Sequence, residues 1–265
     1  MKSVIVWSKY KKYILSTLIF IQTFFMTTPS YAYEVFSDWD DVKNYVYENM
    51  IDRKTEIEFT YKGDSNGYAE KLKDVLKQAY SDDDYLERSW TEIKPKAHDT
   101  KEGIKTTLNI KYLCNKDEEN YIDRELKKAV HSIINDNMSD YEKVKAINDY
   151  IIERYEYDND LKSLSVYSAL TTSEAVCQGY AMTAYKMLNY AGISNRIIVG
   201  TAKGIAHSWN IVEIDGKWYQ LDITNNDSVA NRNKYFLVSD EFLINNNYKW
   251  DSKMYNSALE NYKDL

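Results

Sequence analysis

Apolar residues recur with two different periods in the first part of the chain, and each period indicates a different element. Apolar positions that return every three or four residues predict helices, whereas strict alternation predicts strands. The helical pattern occurs at Trp39–Met50, Tyr68–Tyr80, Glu118–Asn135 and Asp140–Tyr155. The alternating pattern occurs at Thr55–Tyr61 and Ile104–Leu113. Ser139 and Asp140 offer an N-terminal cap for the last of these helices.

The second part of the chain shows one helical pattern followed by alternating patterns. A helix is expected from Cys177 to Tyr190, with Gly192 as its stop signal. Its apolar stripe consists of Cys177, Tyr180, Ala181, Ala184 and Leu188. Strands are expected at Asn195–Lys203, Ala206–Ile214 and Lys217–Thr224. A helix followed by antiparallel strands predicts an α+β layer structure.

The pair Asp215-Gly216 is a strong signal for a two-residue hairpin turn between the last two strands. With this turn, the register places His207 opposite Thr224 and makes Asp222 a diagonal neighbour of His207 on the same face. Asp222 is therefore expected to hold the imidazole in position. A slip of one residue would put the two side chains on opposite faces, so this prediction depends on the turn.

Cys177 stands at the expected N-terminus of a helix, where the helix dipole and unpaired N–H groups stabilise a thiolate. The same N–H groups form a candidate oxyanion hole, with the amide of Cys177 as the first donor. Cys177 as nucleophile, His207 as base and Asp222 as the group that orients the base match the general arrangement of activated-nucleophile catalysis.

Three motifs in this order also resemble the transglutaminase-like superfamily, especially its bacterial members. They are Ala175-Val-Cys177-Gln-Gly-Tyr-Ala181, His207-Ser-Trp-Asn210 and Trp218-Tyr-Gln-Leu-Asp-Ile-Thr224. The resemblance covers roughly residues 140–251 and implies a papain-like cysteine-enzyme core with the nucleophile at a helix N-terminus, packed on an antiparallel sheet. It also implies that Cys177, His207 and Asp222 carry acyl transfer through a thioester, which water or an amine resolves.

Two departures from the animal transglutaminases limit what the resemblance implies. Those enzymes typically have a tryptophan directly after the nucleophile, where this chain has Gln178. They also carry further β-domains, for which this chain has no room. Glutamine-specific crosslinking and calcium regulation are therefore not implied.

The residues around this trio provide candidates for substrate binding. Gln178 is expected either to contact substrate or to lie in solvent, and Gly179 allows close approach to the backbone. Trp209 is interpreted as a core residue or a lid over the imidazole. Tyr167 offers a hydroxyl to the oxyanion, although packing is its simpler role.

The N-terminal residues have the pattern of a secretory signal peptide. A lysine-containing segment precedes an apolar stretch at Tyr13–Met26, and the small residues Ser30 and Ala32 follow at the positions that a signal peptidase reads. Cleavage is expected after Ala32, which predicts a secreted or cell-surface protein. An uncleaved signal anchor that tethers the protein to the membrane is the alternative.

Charge and composition narrow the possible partners. The net charge is −7 and becomes more negative once the lysines of the leader are removed, so nucleic acid and anionic membranes are not expected partners. His98 and His131 have no neighbours at metal-ligand spacing, so neither a metal site nor a cofactor is expected. Cys114 and Cys177 leave a structural disulfide open as an alternative.

These observations predict a signal peptide at 1–32, an N-terminal α/β region at 33–135 and a transglutaminase-like catalytic core at 136–265. The expected function is cysteine-dependent acyl transfer at amide bonds of a peptide or protein, as a peptidase, an amidase or a crosslinking enzyme. The alternative is a catalytically silent module of the same fold that binds peptides or cell wall. Neither the choice between hydrolysis and crosslinking nor the oligomeric state follows from the sequence.

Overall fold

The computed structural model describes residues 34–228 and 232–262, and residues 33–265 form one compact unit. The expected signal segment at 1–32, with its cleavage site and the alternative anchor, lies outside the described residues. Among the described helices, none combines the length and the apolar character that crossing a bilayer requires.

The N-terminal region is a four-stranded sheet with helices on one side. Its strands are β1 (Glu34–Phe36), β2 (Glu56–Tyr61), β3 (Trp90–Thr100) and β4 (Gly103–Tyr112). Its helices are α1 (Trp39–Ile51), α2 (Tyr68–Ser81) and the short α3 (Asp84–Glu87). The strand order is β1-β2-β4-β3, with β1 parallel to β2 and the other neighbours antiparallel. Strand β3 is therefore an edge strand.

Local sequence explains why these elements form. The side chain of Asp38 caps α1 by accepting a hydrogen bond from the backbone of Asp40. Apolar residues of α1 and α2 that are spaced by three or four residues pack on alternate residues of β2 and β4. The buried set from these four elements includes Val42, Val46, Met50, Leu72, Leu76, Ile57, Phe59 and Leu108.

The second half of the unit contains the remaining elements. Its helices are α4 (Lys116–Ile133), α5 (Asp140–Arg154), α6 (Val166–Thr172), α7 (Cys177–Tyr190), α8 (Ile223–Asn226) and α9 (Asp240–Asn245). Its strands are β5 (Glu156–Tyr157), β6 (Glu174–Ala175), β7 (Asn195–Ala202), β8 (Ile205–Ile214), β9 (Lys217–Leu221), β10 (Phe236–Val238) and β11 (Tyr248–Trp250). A single 3₁₀ turn, Ser252–Met254, follows β11.

An antiparallel sheet of five strands, in the order β10-β9-β8-β7-β11, supports helix α7. Tyr180, Ala181, Ala184 and Leu188 of α7 are buried in one apolar cluster with residues of β8 and β9. Helices α4 and α5 complete this cluster. The α+β class and the placement of a helix that begins at Cys177 on an antiparallel sheet are thus confirmed.

The hairpin prediction is confirmed in its register. Ile214 pairs with Lys217, and Asp215 and Gly216 both have positive φ angles, 51° and 75°. Two consecutive residues with positive φ are what a type I′ turn requires.

Two element predictions need correction. The expected strand Lys217–Thr224 ends at Leu221, because Asp222 caps α8 and the chain turns there. Thr224 therefore lies in a helix and not opposite His207 in a strand. Strand β3 is absent from the predicted elements, because this edge strand is mostly exposed and its residues show no apolar alternation.

Helix α4 lies within the expected N-terminal region, 33–135, yet its buried face shares the cluster of α7. Ile122 and Leu126 of α4 are both fully buried there. The described fold packs the two regions through a common core, and the boundary at residue 135 stays a prediction.

Candidate active site

Cys177 is placed by the junction between β6 and α7. Strand β6 ends at Ala175, Val176 is the N-cap of α7, and Cys177 is its first helical residue. The amide of Val176 donates to the carbonyl of Ser163 (3.1 Å), which fixes the entry to the helix. No side chain caps α7, so the first-turn N–H groups beside Cys177 have no side-chain acceptor.

His207 lies on β8 and faces Asp222 at the end of β9. The distance between Nε2 of His207 and Oδ2 of Asp222 is 2.7 Å. Because Asp222 engages Nε2, the other ring nitrogen, Nδ1, is the one left to interact with Cys177. The hairpin thus brings the imidazole and the Asp222 carboxylate together, and α7 supplies the Cys177 thiol.

Asp222 is held on both oxygens and is only 1% exposed. Its Oδ1 caps α8 by accepting the backbone N–H of Asn225 (3.0 Å). Its Oδ2 accepts hydrogen bonds from the Asn225 amide (2.7 Å) and the Tyr248 hydroxyl (2.5 Å), beside the contact to His207. A buried carboxylate with this many donors is stable in the ionised form.

Aromatic rings surround the imidazole. The Trp209 ring stacks against the His207 ring with centroids 5.8 Å apart and an angle of 19° between the planes. Tyr248 meets both rings edge-on. Trp209 is fixed in turn by a hydrogen bond from its Nε1 to Gln220 (2.7 Å). The imidazole is therefore held in one orientation by packing as well as by Asp222.

The electrostatics favour an ion pair between Cys177 and His207. Burial raises the pKa of the Cys177 thiol, but the neighbouring His207 and Ser208 outweigh burial, and the pKa lies below the ordinary value. Burial lowers the pKa of His207, but Asp222 and then Cys177 outweigh burial and raise it well above the ordinary value. Burial raises the pKa of Asp222, but His207, Asn225 and Tyr248 bring it below the ordinary value. These shifts favour the thiolate, imidazolium and carboxylate forms of the three side chains.

The sequence profile of the transglutaminase-like superfamily matches residues 127–223, which include Cys177, His207 and Asp222. These residues belong to the transglutaminase-like superfamily.

Individual relatives match over short ranges. The chain is 28% identical over 117 residues to Kyphoscoliosis peptidase of Mus musculus and 27% identical over 117 residues to that of Homo sapiens. Each alignment covers 37% of this chain but only 18% of the relative.

Two solved structures are similar to parts of the chain. A candidate cysteine protease from Cytophaga hutchinsonii is 17% identical, with coverage of 50% of this chain and 62% of that one and a TM-score of 0.35. A structure described as a TGase is 16% identical, with coverage of 77% and 64% and a TM-score of 0.35.

Within this transglutaminase-like core, the residues expected to bind substrate do not form one surface. The Gln178 amide donates to the carbonyl of Leu164 (3.3 Å), which ties it to the loop before α6. Gly179 is buried, and a Cβ there would lie 3.0 Å from the Cβ of Ala175, so the glycine allows α7 to pack closely. Trp209 is only 1% exposed, which places it behind the imidazole rather than in contact with solvent. The Tyr167 ring packs edge-on against Tyr121, and this contact favours its packing role.

Three residues of the site were not found from the sequence. Asn225 and Tyr248 bind Asp222, and Tyr157 lies near Cys177, where burial, Cys177 and Asp158 raise the pKa of its hydroxyl. No sequence signal identifies Tyr248, because it reaches the site through the pairing of β11 with β7. The sequence does carry a signal for Asn225, since the backbone N–H three positions after an N-cap residue often donates a hydrogen bond to the side chain of that cap.

The alternative in which Cys114 and Cys177 form a disulfide is not supported, because both are free thiols. Cys114 is buried just after β4, and burial raises the pKa of its thiol to about 11. Cys114 is thus an inert packing residue, in contrast to Cys177. Among the described residues, no group of three or more His, Cys, Asp or Glu side chains is arranged to hold a metal ion.

Proposed function

We propose that this protein is a cysteine-dependent enzyme that transfers the acyl group of an amide bond in a peptide or protein. The observation that carries the proposal is the Cys177 thiol, whose pKa is lowered by a histidine that Asp222 holds at 2.7 Å. A purely structural cysteine needs neither neighbour. The relatives named as peptidases support the same bond class.

The arrangement suits a reaction in two steps. The Cys177 thiolate attacks the amide carbonyl carbon, and the oxyanion accepts hydrogen bonds from first-turn N–H groups of α7, with the Cys177 amide as the first donor. The His207 imidazolium gives its proton to the leaving nitrogen as the C–N bond breaks, which leaves a thioester on Cys177. Water or an amine then attacks the thioester while His207 takes its proton, and the thiolate is released.

The choice between hydrolysis and transfer depends on the acceptor that reaches the thioester. Both outcomes use the same three residues in the same roles. We therefore propose the common first step, and we leave water and amine as alternative acceptors that product analysis separates.

We also propose that the protein acts outside the membrane that it crosses during export. The basic segment, apolar stretch and small residues of positions 1–32 support this proposal. The net charge of −7 favours a peptide or protein substrate over nucleic acid.

A comparison of two cysteine variants tests the proposed activity. A panel of peptides is incubated with the parent, Cys177→Ala and Cys114→Ala proteins, and products and acid-quenched enzyme are analysed by mass spectrometry. We expect cleaved or amine-modified peptides and a Cys177-linked acyl adduct with the parent and Cys114→Ala, and none with Cys177→Ala. Turnover by Cys177→Ala would contradict the proposal. Peptide binding without turnover in the parent would favour the silent binding module.

A further inference from the structure

One face of β8 carries an exposed apolar side chain next to the catalytic histidine. Ile205 and His207 are two residues apart on the same strand, so their side chains lie on the same face of the sheet. Ile205 is 74% exposed, although almost all residues of the strand from Ser208 onward are buried. The described residues therefore cover little of the Ile205 side chain.

A second apolar side chain approaches the site from the other direction. Tyr157 pairs in register with Ala175, two residues before Cys177, so the pairing of β5 with β6 fixes Tyr157 beside the nucleophile. The side chain is 42% exposed. Its ring is therefore available at the entrance to the Cys177–His207 pair.

Tyr157, Ile205 and His207 line a single cavity of about 370 Å³. This volume lies toward the lower end of the range of small-molecule sites, about 300–1,000 Å³. Ala202 and Ala206 continue the apolar wall.

The other residues that line the cavity are polar, but they do not favour a charged ligand. Asn225 is already hydrogen-bonded to Asp222, and the Asp227 carboxylate accepts a hydrogen bond from Tyr180. Lys203 carries the opposite charge to Asp227 on the same cavity, and the charge of His207 is balanced by its partner Asp222. An uncharged apolar side chain fits this lining best, with polar groups left for the backbone of a peptide.

We infer that the space between Tyr157 and Ile205 is a subsite for an apolar side chain of the acyl-donor peptide, adjacent to the carbonyl that Cys177 attacks. This inference rests on the proposed function, because it assigns a side-chain preference to that same site. Tyr157 supplies an aromatic face and Ile205 an aliphatic surface. The enzyme then selects peptides with an apolar residue next to the reacting bond over peptides with a charged one.

Two alkylating reagents of the same chemistry test this subsite without a known substrate. Iodoacetamide and N-benzyl iodoacetamide both react at Cys177, and only the second carries an apolar group. The rate constant of the benzyl reagent at Cys177 is divided by that of iodoacetamide. This ratio is then divided by the same ratio measured with glutathione, which corrects for the different reactivity of the two reagents. In the parent protein we expect the corrected ratio to favour the benzyl reagent by about tenfold, as for one apolar group in a hydrophobic pocket.

Variants at two exposed apolar residues provide the matched comparison. Val35 is also exposed and apolar (47%), but it lies on β1 of the N-terminal sheet and does not line the cavity. Ile205→Ala and Ile205→Asp are expected to bring the ratio toward one, and Tyr157→Phe to keep it. Val35→Ala is expected to leave it at the parent value.

The outcomes separate this inference from the proposed activity. Rapid labelling of Cys177 by iodoacetamide with a corrected ratio near one in the parent would overturn the subsite and leave the proposed activity standing. An equal fall of the ratio in Val35→Ala and Ile205→Ala would overturn the subsite as well. Slow labelling by both reagents would overturn the proposed function and the subsite together.

Discussion

At the scale of single residues, Asp222 connects the chemistry to the fold. Its Oδ1 caps α8 and its Oδ2 contacts His207, Asn225 and Tyr248. The sequence was sufficient to predict that Cys177, His207 and Asp222 lie together, because the hairpin turn positions the last two and a helix start positions the first. Tyr248 was not predictable, because its contact with Asp222 depends on the edge strand β11. This strand lies outside the residues that match the family profile.

Tyr248→Phe tests whether this hydroxyl positions the orienting carboxylate. Its loss removes one of the donors that keep Asp222 ionised, so the pKa of Asp222 is expected to rise toward its ordinary range. Asp222 stays ionised at neutral pH in either case, so the effect there acts through position: with one donor fewer, the carboxylate holds His207 less firmly beside Cys177. We predict that the acid limb of the Cys177 alkylation profile moves to higher pH and that labelling at neutral pH slows by up to about tenfold, since a hydrogen bond to a buried charge contributes about 1.5–3 kcal/mol.

Tyr219→Phe is the control for this change, because it removes the hydroxyl of another buried tyrosine in the same sheet. Its alkylation profile should coincide with that of the parent. An unshifted profile in Tyr248→Phe would show that Tyr248 only fills space.

At the scale of elements, the segments with strong local sequence signals were predicted. The strands that are positioned by pairing with distant segments of the chain were not. Helix α7 begins and ends where its apolar stripe and Gly192 indicate. Strand β9 is shorter than predicted because a cap competes with the strand at Asp222. No local sequence signal predicts that β11 pairs with β7, since the two strands are far apart along the chain.

Gly200→Ala tests the role of this strand pairing. A Cβ at Gly200 would overlap the carbonyl oxygen of Lys249 on β11 and approach the Trp209 ring to 3.0 Å. We predict a loss of about 1–3 kcal/mol in the free energy of unfolding, as for overpacking, together with slower labelling of Cys177 because Tyr248 moves with β11.

Gly192→Ala separates backbone strain from the displacement of β11. Gly192 has a φ of 77°, and a Cβ there would have no neighbour within 4 Å. This variant should lose about 1–2 kcal/mol from the left-handed backbone alone and keep the parent labelling rate. Equal labelling rates in both glycine variants would contradict the proposed link between β11 and the site. Chemical denaturation and alkylation kinetics provide the two measurements.

At the scale of the whole molecule, a buried polar network joins the N-terminal region to helix α7, which begins at Cys177. Glu119 of α4 accepts hydrogen bonds from Arg53 (2.9 Å) and Tyr85 (3.0 Å), and Lys186 of α7 lies 3.4 Å away. Arg53 and Glu119 are both buried. No sequence signal identifies this network, because its partners are far apart along the chain.

Glu119→Gln tests how much this network stabilises the molecule. The substitution keeps the shape but leaves the buried Arg53 without its counter-charge, so we predict a loss of about 3–5 kcal/mol in the free energy of unfolding. Glu92→Gln is the control, because Glu92 forms ion pairs with Lys94 and Lys111 on the surface and its loss should change stability little. Equal effects in the two variants, measured by urea denaturation, would contradict the structural role of the network.

The rate at which iodoacetamide alkylates Cys177 across pH distinguishes an activated thiolate from an ordinary thiol. Because the pKa of Cys177 is lowered, the thiolate persists below the ordinary thiol range, about pH 8.5, and is lost only as pH falls through the lowered value. We predict rapid labelling of Cys177 below neutral pH that is slowed in His207→Ala and unchanged in His98→Ala, an exposed histidine of β3. Labelling that rises only near pH 8.5, or that is the same in His207→Ala, would contradict the account.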